Sequence, residues 1–154
     1  MSNVITCLIV EDEPLAMQLM DDYIRKLPML QLKGKCYDAL EAMEMLKQQK
    51  VDVIFLDINM PALSGLEMAA LIPKDQRIIF TTAYAEHALD SFSFHVIDYL
   101  LKPISFKRFL QAIQKLQLHI FPVEPIEIPN KEPDLLFIKS GRTVINIRFS
   151  DILF

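Results

Sequence analysis

Short apolar runs and amphipathic stretches alternate along the chain as far as about Ile120. The apolar runs predict five strands, at Val4–Val10, Leu30–Cys36, Val51–Leu56, Arg77–Thr81 and Val96–Leu101. An apolar period of three to four residues predicts helices at Pro14–Leu27, Asp38–Lys50, Leu66–Leu71, Tyr84–Phe94 and Ser105–Ile120. Strands that are apolar on both faces favour a parallel sheet covered by helices on each side. The pattern therefore predicts a doubly wound (βα)5 fold of the α/β class.

Polar residues mark where several of these helices begin. Asp38 with Glu41, and Ser64 with Glu67, stand at the N-cap and N3 spacing of a capping box. Ser105 is the predicted cap of the last helix. The apolar positions predict that the first helix buries Ala16, Met20, Tyr23, Ile24 and Leu27, and the last helix Phe106, Phe109, Leu110, Ile113 and Leu116.

The composition changes after Ile120. Residues 121–134 contain four prolines and four acids, which predicts an extended linker. Two further strands, Leu135–Lys139 and Thr143–Phe149, are predicted to form a β-hairpin. A hairpin with nothing to pack on is marginally stable, and the chain stops on an apolar run. We therefore expect residues 135–154 to be the truncated start of a second domain.

Composition narrows the class of protein. The 154 residues suit one domain of average size, or one domain plus a fragment of another, and a hydrophobic content of 52% supports a substantial core. A net charge of -4 gives no strong electrostatic footprint for nucleic acid. Cys7 and Cys36 lie in apolar runs and are expected to be reduced core residues of a cytoplasmic protein. With neither a signal peptide nor a membrane span visible, no membrane partner is expected.

Carboxylates follow two of the predicted strands, at the sheet edge where doubly wound folds bind ligands. Glu11 and Asp12 come directly after the first strand, and Asp57 closes the third. If these strands are neighbours, the three carboxylates converge, which is costly unless a cation or a proton intervenes. An all-oxygen site suits Mg²⁺, whereas zinc would call for His or Cys ligands.

A hydroxyl and an ammonium group reach the same edge. The fourth strand ends in Thr81-Thr82-Ala83, and Lys102 follows the fifth. A carboxylate nucleophile, a hard cation, a lysine and a hydroxyl are the groups that phosphoryl transfer requires. Any one of them alone is more often a cap, turn or solvated residue. The prediction depends on their joint placement on four strands.

The motifs LIVEDEP, VIFLDINMPALSG, IIFTTAY and DYLLKP resemble, in order and spacing, the receiver domain of two-component response regulators. The resemblance implies a receiver domain over residues 1–120 with a flavodoxin-like sheet of strand order 2-1-3-4-5. It implies that Asp57 is the phosphoacceptor and that Glu11 and Asp12 organise Mg²⁺. Asp57 and the backbone carbonyl of Asn59 would be further metal ligands.

The same resemblance assigns the switch. Thr82, which directly precedes Ala83 and is preferred to Thr81 for that reason, is the implied switch hydroxyl. Lys102 would contact the phosphoryl group, and Tyr99 would be the switch aromatic. A sensor histidine kinase or a small phosphodonor would phosphorylate the acceptor, and water would later remove the group. The implied protein is a self-phosphorylating and autodephosphorylating switch, not a turnover enzyme.

Two surfaces follow from the resemblance. The fourth predicted helix, the fifth strand and the fifth helix would form a face that changes shape and can support a homodimer. The sequence FIKSGRTVINIRFSDILF is similar to the opening strands of a LytTR-type DNA-binding domain. A transcription regulator is implied, which would bind DNA only through its complete C-terminal domain.

Two other functions remain open. A hydrolase of the haloacid-dehalogenase type also uses a strand-end aspartate and Mg²⁺, but such enzymes resemble DxD there, and this chain has Asp57-Ile58-Asn59 on its third strand. A receiver-like interaction module that never takes phosphate usually lacks the acceptor, the lysine or the metal acids. All of these residues are present in this sequence.

Overall fold

A five-stranded parallel sheet is the central element of the structure. The computed structural model describes residues 4–85 and 96–122. The strands are β1 (Ile5–Val10), β2 (Leu30–Cys36), β3 (Val53–Asp57), β4 (Arg77–Thr82) and β5 (Val96–Leu101). Their order is β2-β1-β3-β4-β5, and every neighbouring pair is parallel. The predicted doubly wound fold with strand order 2-1-3-4-5 is confirmed.

Helices cover the sheet on both sides. They are α1 (Pro14–Arg25), α2 (Ala39–Gln48), α3 (Gly65–Leu71) and α4 (Phe106–Ile120). The α4 helix is therefore the fifth helix of the predicted order, because residues 86–94 of the fourth lie outside the described residues. From residue 123 onward the predicted linker and β-hairpin also lie outside them and stay predictions.

Alternate side chains of the inner strands build two separate cores. Cys7 and Ile9 of β1 and Phe55 of β3 point to the side covered by α1 and α4. There the Phe55 ring stacks on Phe109 with 5.6 Å between the ring centroids. The other core lies against α2 and α3 and includes Leu8 and Val10 of β1 and Ile54 and Leu56 of β3. Since β3 is buried along its whole length, it fixes the centre of the sheet.

A reciprocal contact joins the amino ends of β1 and β3. The Asp52 carboxylate accepts hydrogen bonds from the Thr6 N–H at 2.8 Å and the Thr6 hydroxyl at 3.1 Å. The Asp52 N–H donates to the Thr6 hydroxyl at 2.9 Å. These bonds support the register in which Val10 lies opposite Leu56. Consequently the residues that follow the two strands meet at the opposite edge.

The strand boundaries differ slightly from the prediction. The third strand was predicted at Val51–Leu56 and is found at Val53–Asp57, so the carboxylate belongs to the strand. Asp57 pairs with Thr81 of β4, which extends the ladder by one position. The fourth strand likewise continues to Thr82. Asp57 and Thr82 therefore both belong to strands and lie at the carboxyl edge of the sheet.

Helix capping matches the prediction at Ser64 and at Ser105, whose side chain accepts from the Arg108 N–H, and in part at Asp38. The capping box of Ser64 and Glu67 is complete. Asp38 does accept from the Glu41 N–H at 2.8 Å. The Glu41 carboxylate, however, accepts from the Tyr37 N–H at 2.9 Å, so the predicted reciprocal bond to Asp38 is wrong.

The buried faces of α1 and α4 agree in part with the prediction, since Met20, Ile24, Phe109, Ile113 and Leu116 are buried as predicted. Met17 and Asp21 are buried in α1, whereas Ala16, Tyr23 and Leu27 are only half-buried. Asp21 is compensated by Arg25 at 2.7 Å and Lys35 at 3.2 Å. In α4 the small residue Ala112 is buried and Leu110 is half-buried. Periodicity located each buried face, but it did not identify Met17, Asp21 and Ala112 as buried.

A close backbone approach explains one glycine and gives a first prediction. A Cβ on Gly65 would overlap the backbone carbonyl oxygen of Asp57, whereas a Cβ on Gly34 would meet the flexible end of Met45. We expect Gly65→Ala to reduce the free energy of unfolding by more than about 2 kcal/mol, and Gly34→Ala by roughly 1 kcal/mol. Urea unfolding of both variants would measure this, and equal losses would contradict the assignment.

Candidate functional site

Three carboxylates meet at the carboxyl ends of β1 and β3. One oxygen from each of Glu11, Asp12 and Asp57 lies within 4.8 Å of the others. Glu11 and Asp57 are each only 2% exposed. Their convergence follows from the direct pairing of the two strands. The structure therefore brings together the acids that the sequence placed at this edge.

Lys102 enters the cluster from the end of β5. Its Nζ lies 3.0 Å from Glu11 Oε1, 3.5 Å from Glu13 Oε1 and 3.6 Å from Asp57 Oδ2. Burial disfavours its charge, but the hydrogen bond to Glu11 and the surrounding carboxylates outweigh burial and raise the pKa of Lys102. The ammonium therefore stays charged and offsets part of the acidic cluster.

The Asp57 carboxyl is held in an unfavourable environment for ionisation. Burial and the charge of Glu11 raise the pKa of Asp57 to about 7, against the opposing effects of Lys102 and the Asn59 N–H. The Asn59 N–H donates to Asp57 Oδ1 at 3.1 Å, which orients the carboxyl. A cation at the cluster would favour the ionised form.

Thr82 is connected to the Asp57 carboxyl by way of Asn59, which lies in the loop that follows β3. Its hydroxyl donates to Asn59 Oδ1 at 2.9 Å and accepts from the Tyr84 N–H at 3.0 Å. Thr81 instead accepts, through its carbonyl, from the Ile58 N–H at 2.9 Å. The side chain of Asn59 is a contact that the sequence did not predict, since only its backbone carbonyl was assigned a role.

Tyr99 lies on β5 and packs against the core covered by α2 and α3. Its ring stacks on Phe80 of β4 with 5.3 Å between the centroids. The guanidinium of Arg108 donates to the Tyr99 carbonyl at 2.9 Å and to both oxygens of Asp98 at 2.8 Å. Burial disfavours ionised Asp98, yet Arg108 and Lys115 outweigh it and lower the pKa of Asp98. This ion pair fixes β5 to α4.

The donor atoms fit a hard divalent cation. The cluster offers oxygen atoms only, and no His or Cys takes part among the described residues. Asp12 Oδ1 is buried and has no hydrogen-bond partner within the described part of the chain. A buried polar atom without a partner is costly, and a bound cation would remove that cost. Carboxylate oxygens of this number are the ligands that Mg²⁺ takes in proteins.

A family comparison decides the class. Residues 7–114 match the family model described as response regulator receiver domain. The chain belongs to this family. The transcriptional regulatory protein BtsR of Salmonella typhimurium is 37% identical to this chain over 136 residues, which are 87% of this chain and 57% of that protein. This chain spans about half the length of the curated relatives it matches.

Solved receiver structures share the fold. The response regulatory domain of mrkE from Klebsiella pneumoniae has a TM-score of 0.67 and 37% identity, and covers 74% of this chain and 96% of that one. The response regulator TrrA from Thermotoga maritima, in complex with Mg²⁺-BeF, has a TM-score of 0.65 and 29% identity, over 75% and 99% of the two chains.

The family gives the site its general chemistry. Receiver domains bind Mg²⁺ at an acidic pocket, are phosphorylated by histidine kinases and act as regulatory switches. The chain is thus the receiver domain of a two-component response regulator. None of the helices within residues 4–85 and 96–122 is long and apolar enough to span a membrane.

The raised pKa of Asp57 predicts a pH-dependent stability without metal. The folded protein holds this proton up to about pH 7, whereas the ordinary value is 3.8. The folded state therefore binds more protons between these values, and the free energy of unfolding falls as pH rises through this window. At pH 8 we expect Asp57→Asn to be more stable than the unsubstituted protein by roughly 1–3 kcal/mol, since one pKa unit corresponds to about 1.4 kcal/mol.

Urea unfolding in EDTA at each pH unit from 4 to 9 measures this difference. It should grow from pH 4 to pH 7 and then level off. Asp75→Asn removes an exposed carboxylate and serves as the matched control, with no comparable trend. A constant difference across the pH range would contradict the proposed strain at Asp57.

The unpartnered oxygen of Asp12 predicts a metal-dependent stability. We expect Mg²⁺ to raise the melting temperature of the protein, because the ion binds the folded state alone. Asp12→Asn should fold normally but weaken Mg²⁺ binding by at least about tenfold, since one of the charged ligands is lost. Calorimetric titration measures the affinity, with Asp75→Asn as the control. Unchanged affinity in Asp12→Asn would exclude this residue as a ligand.

Proposed function

We propose that Asp57 accepts a phosphoryl group with Mg²⁺ and that this modification switches the output of a longer protein. The observation that carries the proposal is the position of Lys102 Nζ, 3.6 Å from Asp57 Oδ2, beside the acidic cluster of Glu11 and Asp12. Nucleophile, cation-binding oxygens and a fixed positive charge converge on one point. A phosphoryl group placed there meets the charges that stabilise its transfer.

The transfer step follows from this arrangement. An Asp57 carboxylate oxygen attacks phosphorus in line, and a new O–P bond forms. The bond from phosphorus to the donor breaks, and its electron pair leaves with the imidazole nitrogen of a phosphohistidine or with acetate. Mg²⁺ held by Glu11, Asp12, Asp57 and the Asn59 carbonyl would neutralise charge on the phosphoryl oxygens. The raised pKa of the acceptor means that cation binding and loss of its proton are coupled.

Lys102 and Thr82 then exchange partners. The Lys102 ammonium is shared among carboxylates, and the phosphoryl oxygens compete for it. The Thr82 hydroxyl donates to Asn59 and can turn to a phosphoryl oxygen. Tyr99 would move into the space that Thr82 leaves. Contacts made only in the phosphorylated form bias a two-state equilibrium.

Water hydrolyses the acyl phosphate and returns the carboxylate of Asp57. The protein is then a switch with a finite lifetime, not an enzyme that turns over a substrate. The Asn59 side chain and Tyr84 flank the acceptor through Thr82, so they lie where such a lifetime can be adjusted.

The partners are proposed from the family and the relatives. A sensor histidine kinase in the cytoplasm would supply the phosphoryl group, and the face that includes β5 and α4 would support a homodimer. The relative BtsR is named a transcriptional regulatory protein, and this chain spans 57% of it. We propose that residues 121–134 link the receiver to a LytTR-type domain that starts at residue 135. DNA binding would belong to that complete domain.

Incubation with Mg²⁺ and acetyl phosphate tests the function. We expect one phosphate adduct by intact mass, because the site contains one acceptor beside Lys102. The adduct should require Mg²⁺ and be absent in Asp57→Asn, while Asp75→Asn should label normally. An adduct that persists in Asp57→Asn would place the acceptor elsewhere.

A receiver-like module that never takes phosphate is the alternative. Absence of any adduct, both with acetyl phosphate and with phosphorylated sensor kinases, would favour it over the switch. Labelling by sensor kinases but not by acetyl phosphate would support the switch and show that its phosphodonors are limited to kinases.

A further inference from the structure

A hydrogen bond joins α1 to the segment that follows β5. The Tyr23 hydroxyl donates to the backbone carbonyl of Ile104 at 2.7 Å. Its ring packs against Phe106 and Phe109 of α4, with centroid distances of 5.2 and 5.4 Å. The Lys26 ammonium lies 4.9 Å from the centre of the Phe106 ring. The tyrosine ring is therefore held in place by α4, and its hydroxyl is aimed at the segment.

The segment from Lys102 to Ser105 connects the site to α4. At its start the Lys102 N–H donates to the Thr82 carbonyl at 2.7 Å. At its end the Ser105 side chain caps α4 by accepting from the Arg108 N–H. Pro103 between them has no N–H and so cannot donate a backbone hydrogen bond. The bond from Tyr23 supports its middle from outside.

We propose that Tyr23 is a positioning residue for Lys102. This inference rests on the proposed function, in which the Lys102 ammonium contacts the phosphoryl group. The long, flexible Lys102 side chain must lie between Glu11 and Asp57. Backbone motion at Lys102 increases the number of positions that its ammonium samples. Tyr23 fixes the carbonyl of Ile104, two residues after Lys102, and so restricts the backbone positions that Lys102 can adopt. Reacting groups that are held in place transfer faster than groups that must find their geometry.

The acidic ligands do not depend on this contact. Glu11 and Asp12 follow β1 and Asp57 ends β3, two strands that pair directly with each other, whereas the segment follows β5 at the edge of the sheet. Loss of the Tyr23 hydroxyl should therefore slow phosphoryl transfer and leave Mg²⁺ affinity unchanged. This separation distinguishes positioning of Lys102 from a general loosening of the site.

Tyr23→Phe tests the proposal, because the ring can keep its packing against Phe106 and Phe109. With acetyl phosphate and saturating Mg²⁺, we expect the rate constant of adduct formation to fall about three- to tenfold. Mg²⁺ affinity, measured by calorimetry, should match that of the unsubstituted protein. Tyr37→Phe makes the same chemical change at an exposed tyrosine and should label at the normal rate.

A double-mutant cycle with Lys102→Ala identifies the route of the effect. If Tyr23 acts through Lys102, Tyr23→Phe should have no further effect in the Lys102→Ala background. An equal slowing in both backgrounds would overturn the proposal, as would a normal rate for Tyr23→Phe in a protein that labels. If the unsubstituted protein takes no phosphate from any donor, the proposed function itself fails and this inference falls with it.

Discussion

The repulsion between two buried carboxylates governs the rest of this site. Glu11 and Asp57 lie at the ends of paired strands, so the sheet holds them together whatever their charge. Lys102 compensates part of that charge, but burial and the charge of Glu11 together still raise the pKa of Asp57. The local environment therefore favours a proton or a cation. A bound metal ion would reduce this repulsion, and the charge of the site can assist a reaction there.

The hydrophobic cores make this arrangement stable. β3 is buried along its length, and its packing against α4 through Phe55 and Phe109 lies outside the acidic cluster. The contact between Thr6 and Asp52 supports the register from the far edge of the sheet. A strained group can persist because many unstrained contacts determine where the backbone runs. Asp57 thus ends a strand that is secured by residues with no part in its chemistry.

Sequence patterns located the sheet and the acids because both are local signals. Apolar runs identify strands, and a carboxylate directly after such a run lies at the edge of a parallel sheet. Contacts between distant residues were not predictable in this way. The bond from Tyr23 to Ile104 joins positions 81 residues apart, and the approach of Glu13 to Lys102 depends on which rotamers the fold allows. Periodicity placed Tyr23 on a buried face, but it did not predict the hydrogen bond that its hydroxyl makes.

One backbone bond gives the pocket a shared frame. The Lys102 N–H donates to the Thr82 carbonyl, so the residue with the hydroxyl and the residue with the ammonium are anchored to each other by their main chains. Thr82 ends β4 and Lys102 directly follows β5, so this hydrogen bond joins the backbones from which the two side chains start. A displacement of the end of β4 therefore shifts the origin of both side chains together. This hydrogen bond therefore couples the backbone positions of Thr82 and Lys102 directly.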